Sequence, residues 1–561
     1  MKSLHLIISV LLFFCFSLKA EERVYERVYV HTDKDNYIAG EDILLKFYVI
    51  TANFQPSDLS KVGYVEICDT EKPWIQLKVA LEKGAGSGKI NIPADIPSGI
   101  YRLSGYTRYM RNEGENVFFN KPIAIVNVEE QMRDSKRFEA VENFDDIQSP
   151  EKSPSEEKDR IHPLVKTDQS RYNNRSKVLL SLNNIPVNTA DLVISVSRND
   201  SIVRIPQPDD EEWLKQVKDT FPFSRQWLPE YEGHIISGRF APNPQEQLLS
   251  SIAFVGNDIR YFHGKENAQN GTIDFYTAGI FGKQQIVTTA TSVLHNNAPY
   301  RVDLLTPFCE FLPDSLPALQ IYPNEKQLID RYIGVQIREK TKNDSLNNSI
   351  QLPRYNTFQP YASYDLDQYV RFSTLSETIL EFVYQARVSK IGGIPRIRVL
   401  MDEGFSQGNT LVLLDGIPVF NHEDVLKYNP MYIRKIDIYN EHFLFGGNYY
   451  ENITSFITHE NNLPFFQLNE GSQLLNYDCP QLPSPFENPD YSIDGIKNSK
   501  KPDFRHTLYW NPFVESTNGQ PVNLSFYTSD LCGEFTVTVE GITTDGKIIH
   551  SASQFQVIAS Q

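Results

Sequence analysis

Residues 28 to 47 read V-Y-V-H-T-D-K-D-N-Y-I-A-G-E-D-I-L-L-K-F. Val28 and Val30 alternate with Tyr29 and His31, and Ile43, Leu45 and Phe47 alternate with Leu44, Lys46 and Tyr48. An apolar period of two is that of a strand with one buried face. Asp33, Asn36 and Gly40 supply turn chemistry between the runs. Further on, T-D-Q-S-R-Y-N-N-R-S-K-V-L-L-S-L from Thr167 aligns without a gap to T-D-K-D-N-Y-I-A-G-E-D-I-L-L-K-F from Thr32. Thr, Asp, Tyr and the Leu-Leu pair coincide, so one structural unit begins twice.

Working outward, Pro93, Pro97, Ser98 and Gly99 break the chain before the Ile100 to Tyr106 strand. An antiparallel sandwich of short strands over 22–128 follows. Together with I-P-A-D-I-P-S-G-I-Y-R-L-S-G-Y-T, the Tyr37, Gly40 and Glu41 spacing resembles the macroglobulin-type β-sandwich of the α-macroglobulin and complement superfamily. Similar domains occur in many exported bacterial proteins. Residues 129–164 switch to dense charge with Ser149, Pro150, Ser153 and Pro154, a composition that reads as a solvated linker. A second, related sandwich is expected over 165–206, with Leu192, Ile194 and Val196 as an alternating strand.

After a helix over 211–217, L-P-E-Y-E-G-H-I-I-S-G from Leu228 opens a third β unit, expected over 228–323. With Gly271, Ile273 and Phe275 as its later signal, it resembles a carboxypeptidase regulatory-like sandwich, a name that carries no catalytic residues. Residues 360–460 differ in character: Leu375, Ile379, Leu380 and Val383 fall at helical spacing before strands resume. Within them, L-V-L-L-D-G-I-P-V-F from Leu411 is a hairpin, since a primed turn wants positive φ at Asp415-Gly416. Pro418 places its second strand at an edge, and Asn421 can cap the next short helix.

The order of helix, L-V-L-L-D-G-I-P-V-F, short helix, Y-I-R-K-I-D-I-Y, Gly446-Gly447 and I-T-S-F-I-T resembles the plug of TonB-dependent outer-membrane receptors. It departs at His442 to Phe445, where such plugs usually carry small residues. The barrel that goes with a plug needs about 22 strands of roughly 10 residues, or ~220 residues before loops. About a hundred residues follow His459, so a plug-like module without its barrel is expected. Residues 461–501 read as an extended connector, and 502–561 as a C-terminal sandwich resembling the W-x-P opening of a macroglobulin domain. The fold class is mainly β: tandem macroglobulin/Ig-like β-sandwiches plus one α+β plug-like domain.

With 54 Lys and Arg against 71 Asp and Glu, the formal net charge of -17 argues against nucleic acid or anionic lipid as the main partner. Met1-Lys2, the apolar run Leu6 to Leu18 and Ala20 have the layout of a signal peptide over 1–20. That run is too short to span a membrane, so export to the periplasm or outer membrane without a transmembrane span is expected. Phe13 and Phe14 before Cys15 argue against lipidation. The remaining cysteines, Cys68, Cys309, Cys479 and Cys532, lie far apart, and free thiols and long-range bridges are both open.

Leu531-Cys532-Gly533-Glu534-Phe535 is similar to the Gly-Cys-Gly-Glu-Gln thioester of active α-macroglobulins, but Phe535 stands where the acyl-donating Gln is needed. Cys532 then reads as a buried strand residue. The eleven histidines form no metal or catalytic motif, and His31, His234 and His506 are isolated. Asp33, Asp35 and Glu41 could hold calcium, though turn capping is the favoured reading. With no catalytic, cofactor or metal residues read, a non-enzymatic binding protein of the cell envelope is expected. Its partner is a protein or peptide, an outer-membrane transporter being one form; the alternative is a protease-binding macroglobulin without a thioester. Main-chain pairing at a strand edge makes Ile417, Pro418, Val419 and Phe420, with Tyr432, Phe443 and Phe445, candidate contacts. The same residues also read as core, the favoured alternative.

Overall fold

The Thr-Asp-x-x-x-Tyr stretch makes the same turn in both places. Asp33 Oδ1 accepts from the Tyr37 hydroxyl at 2.8 Å and the Leu44 N–H at 3.0 Å. Asp168 Oδ1 accepts from the Tyr172 hydroxyl at 2.7 Å and the Leu179 N–H at 2.8 Å. The Thr32 and Thr167 hydroxyls donate to Lys34 O and Gln169 O, each at 2.7 Å. Both aspartates thus fix a turn between strands. Among the described residues, no group of three or more His, Cys, Asp or Glu is placed to hold a metal.

This computed structural model describes residues 24–129, 138–140, 160–345, 359–497 and 500–559, apart from 188, 201, 204, 206–209, 245, 247, 268–270, 293–299, 322–324, 446–447 and 516–518. The expected signal peptide, most of the charged linker and Gly446-Gly447 lie outside the described residues. The described chain is mainly β, as its alternating patterns imply.

The first sandwich consists of β1 (Glu26–Thr32), β2 (Asn36–Ile38), β3 (Asp42–Thr51), β4 (Val62–Cys68), β5 (Pro73–Ala80), β6 (Ala85–Asn91), β7 (Gly99–Thr107) and β8 (Phe119–Val126). One sheet runs β1-β3-β6 and the other β2-β8-β7-β4-β5. Val28, Leu45, Phe47, Val65 and Leu103 fill the space between them.

The second sandwich repeats this plan, with Arg160–Ile161 added as a further strand on Ile548–Ile558. Its short sheet orders Leu164–Thr167, Lys177–Asn183 and Val522–Tyr527. Its long sheet places Ile548–Ile558, Gly533–Thr543, Thr189–Arg198 and Thr507–Asn511 side by side, with Arg171–Asn173 on Ile548–Ile558. The counterparts of β4 and β5 are therefore Thr189–Arg198 and Thr507–Asn511, and residues 199–506 are inserted between them.

Two expected domains are corrected by this topology. The 165–206 and 502–561 segments are halves of one sandwich, because neither has strands enough to cover its own apolar face. Ile194 pairs with Val539 and Val196 with Val537, and both segments fill one core with Val178, Leu180, Phe535 and Phe555.

Within the insertion, the helix Asp210–Lys218 lays Trp213 against the first sandwich, its indole N–H donating to Val28 O at 2.8 Å. A seven-stranded sheet follows, ordered Arg301–Leu304, Ile235–Ala241, Thr272–Tyr276, Tyr261–Asn267, Leu248–Phe254, Lys283–Ser292, Ser472–Asp478. Its last strand comes from the expected 461–501 connector, which is corrected accordingly: Ser472–Asp478 closes an edge against Lys283–Ser292. The helix Glu325–Ser345 packs Val335 on Ile38, Ile100 and Ala124. The module between Ala362 and Thr458 has the sheet order Ala362–Asp365, Ile433–Tyr439, Asn452–Thr458, Thr410–Leu414, Ile417–Pro418. Beside it stands the hairpin Ala386–Ile391 and Ile394–Met401. Among the described residues, no helix is long and apolar enough to cross a membrane.

Candidate binding site

The Asp415-Gly416 turn has φ of 45° and 79°, the primed geometry the dipeptide implies. Its tip is not exposed. Asp415 is fully buried, and its carboxylate accepts from the Thr458 N–H and hydroxyl at 2.7 Å each and the Leu463 N–H at 2.9 Å. The Asp415 carbonyl accepts from Gly256 N–H at 2.9 Å, and a Cβ on Gly416 would stand 2.9 Å from Asp258 O. The turn is thus a plug into a loop of the seven-stranded unit.

Alternation then sorts the hairpin's second strand. Ile417 and Val419, at 4% and 2% exposure, join the core with Val412, Leu414 and Phe456. Pro418 is half-buried at the sheet edge, paired with Leu413. Phe420 is 47% exposed. Tyr432 is half-buried with its ring centroid 5.7 Å from Tyr428 and 5.3 Å from Phe465. Phe443 is half-buried 6.4 Å from Tyr439, in the separate hairpin Phe443–Phe445 and Asn448–Tyr450. The side chain of Phe445 lies outside the described residues. The seven candidate residues therefore do not form one surface, and Ile417 and Val419 are core. In the helix Leu375–Phe382, Leu375 and Ile379 are likewise buried, but Leu380 is 75% exposed.

Phe420 borders a cavity of about 310 Å³ whose walls include Ile391, Arg396, Thr410, His422 and Tyr450. That volume is at the low end of small-ligand sites. Asn421 caps the helix His422–Leu426 by accepting from the Glu423 N–H. The cap aims His422 inward, where it is 2% exposed. The Ile397 N–H donates to His422 Nδ1 at 2.9 Å, so the ring proton sits on Nε2 and is donated to Thr410 O at 3.1 Å. Burial, then the nearby Arg396 guanidinium, pushes this imidazole down to about 4. A neutral ring thereby ties the 386–401 hairpin to the main sheet. The Arg396 guanidinium donates to Phe420 O at 3.2 Å across the cavity mouth. Sequence reading named Val419 and Phe420 but missed Arg396 and His422. The signal for Arg396 is the A-R-V-S-K-I-G-G-I-P-R-I-R-V-L run, two alternating strands around a Gly-Gly turn.

A second cluster of shifted groups has the composition of a catalytic site but not its access. Glu230 accepts from the Tyr64 hydroxyl at 3.0 Å, from His234 Nδ1–H at 2.9 Å and from the Ile235 N–H at 2.8 Å. Both side chains of the Glu230–His234 pair have no exposure. Burial, then the Lys78 charge, pushes His234 down to about 4, and burial pushes Lys78 down to about 8. Such a network ties β4 and β5 to the seven-stranded unit. At the segment similar to a thioester, Cys532, expected as a buried strand residue, is exposed, because it precedes Gly533–Thr543 instead of lying in it. Phe535 is fully buried, stacked 5.6 Å from Phe555. The other cysteines among the described residues are free thiols, Cys68 and Cys479 buried and Cys309 half-buried.

No family model matches the chain, and no curated protein matches it. Among solved structures, trypsin-activated α-2-macroglobulin from Escherichia coli is similar at 9% identity and a TM-score of 0.23, over 96% of this chain and 42% of that one. Salmonella α-2-macroglobulin reacted with methylamine is similar at 10% identity and a TM-score of 0.16, over 95% and 23%. Dimeric latent PorU from Porphyromonas gingivalis is similar at 7% identity and a TM-score of 0.14, over 95% and 34%. The chain spans less than half the length of each.

Proposed function

We propose that the protein is a non-enzymatic, exported binding protein of the cell envelope, in which two sandwiches form a frame and the 360–460 module is the binding end. One observation carries this reading. Of the 29 large apolar side chains that are exposed among the described residues, 13 lie between Tyr361 and Phe465, roughly a fifth of the chain. Concentrated apolar exposure marks an interaction surface. The apolar run Leu6 to Leu18 supports export. The resemblance of the module to a receptor plug makes an outer-membrane transporter one form of the partner.

Site-specific photo-crosslinking in the producing cell tests the proposal. A benzophenone amino acid at Phe420 or Ile394 is expected to give a discrete crosslinked partner, while the same probe at the exposed Val128 or Leu249 gives none. Absence of any crosslink at the module, or equal crosslinking at all four positions, overturns it. The protease-binding alternative predicts that added trypsin or elastase is the species captured.

A further inference from the structure

The solvent face of the 386–401 hairpin is unusual for so acidic a chain. Cross-strand register places Arg387 opposite Arg398 and Ser389 opposite Arg396, so three guanidinium groups share one face. The Arg398 guanidinium is held by carbonyls, donating to Phe405 O at 2.8 Å and also to Ser406 O, and Arg387 lies 4.0 Å from the Phe405 ring centroid. Among the described residues, none of the three arginines makes an ion pair with a carboxylate. Asp402 and Glu403 belong to the turn after Met401, about 13 Å along the strand from Arg398 at about 3.3 Å per residue. The Glu451 carboxylate accepts from the Gln407 N–H at 2.9 Å. Next to this basic face lies the cavity bordered by Phe420 and Ile391, with Ile394 50% exposed at the tip.

We propose that this hairpin face and the adjoining cavity take an acidic segment of a partner protein, its carboxylates on Arg387, Arg396 and Arg398 and one bulky apolar side chain in the cavity. Arginine presents planar paired donors that match a carboxylate, and its charge here is left uncompensated by the protein itself. The cavity volume of about 310 Å³ suits a single aromatic or branched side chain with a little backbone. Charge complementarity selects the occupant: three guanidinium groups on one face without a carboxylate partner give a local attraction for a carboxylate-rich segment, working against the long-range field of a chain at net charge -17.

The assignment deepens the binding proposal and rests on it. Fluorescence anisotropy of the full chain with labelled Ser-Asp-Asp-Phe-Asp-Asp-Ser tests it. The peptide is expected to bind, with at least about tenfold weaker binding by Arg396→Glu. It should also bind at least about tenfold better than its Phe-to-Gly analogue, and its Asp-to-Lys analogue should not bind. Should Arg396→Glu lose its cooperative thermal transition, Arg387→Gln and Phe420→Ala, both at exposed positions, carry the comparison. Failure of the acidic peptide to bind, or equal binding by variants and wild type, overturns the assignment. So does Arg396-dependent binding to phosphatidylglycerol vesicles, or Arg396-dependent dimerisation, in place of peptide binding. If crosslinks form at Phe420 while the peptide fails, the binding proposal stands and this chemistry falls.

Discussion

The fully buried Asp415 carboxylate satisfies three donors, so its removal leaves all three unmatched. Asp415→Ala is expected to cost about 3 kcal/mol or more, and Asp415→Asn, which tolerates positive φ and keeps an acceptor, distinctly less. Urea denaturation gives both values, and equal losses would contradict the account. The D-G signal and its turn geometry were legible in the sequence. That the turn is docked was not, because the Gly256 N–H that donates to Asp415 O and the carbonyls of Phe254, Gly256 and Asp258 packed against Gly416 belong to a distant segment with no local marker. For Ile417, Val419 and Phe420, alternation separates core from surface, but the pattern alone does not say which face the core takes.

His422 predicts a pH dependence. Its ring is neutral when folded and titrates at about 4, below the ~6.5 of an unfolded chain. A group depressed in this way contributes its stability in full above about pH 6.5 and loses it as pH falls towards 4. The contribution is about 3 kcal/mol. His422→Gln should therefore show a shallower fall in urea stability between pH 6.5 and 4 than the wild type; identical slopes would contradict the assigned neutral ring. At Cys532, the buried Phe535 leaves no acyl partner. Methylamine treatment is expected to add no mass, and iodoacetamide to alkylate Cys532 without it.

At the scale of elements, the helix Glu325–Ser345 is pinned by one residue. Arg331, at 1% exposure, binds Glu41 through Nε at 2.9 Å and Asp200 at 2.7 Å, and donates to Asn36 O at 3.0 Å. Burial alone would raise Glu41, but the charges of Arg331 and Lys34 outweigh it and hold the carboxyl well below its usual range. Arg331→Met strands two buried carboxylates and is expected to cost roughly 3–5 kcal/mol. Adding Glu41→Gln should restore part of that in a double-mutant cycle, and strict additivity would argue against the pin. The repeated Thr-Asp-x-x-x-Tyr turn was legible because both copies use identical side chains. The helix was not read: Leu328, Tyr332 and Val335 are spaced for one face, but the polar residues between them include the buried Arg331, whose partners lie some 130 and 290 residues away.

Over the whole molecule, the insertion explains how the frame carries its arm. Arg198 N–H donates to His506 O at 2.9 Å, so the insertion leaves and re-enters the sandwich at one point. His506 is 7% exposed, and burial, then the charge of Arg331, holds its ring well below its usual value. That junction therefore joins the arm, the helix pin and both sandwiches. Sequence reading found the start of the second sandwich from its repeat. It could not join the halves, because the later strands, from Thr507 onward, keep only the alternating pattern and their partners are more than 300 residues earlier.

The split sandwich is the central claim, since it makes the 360–460 module part of an insertion rather than one bead on a string. Native-state hydrogen exchange tests it directly. A split sandwich requires that the amides of Lys177–Asn183 and Thr189–Arg198 open together with those of Gly533–Thr543 and Ile548–Ile558, at one common free energy. Independent opening of the two segments, with 165–206 exchanging well before 502–561, would contradict it.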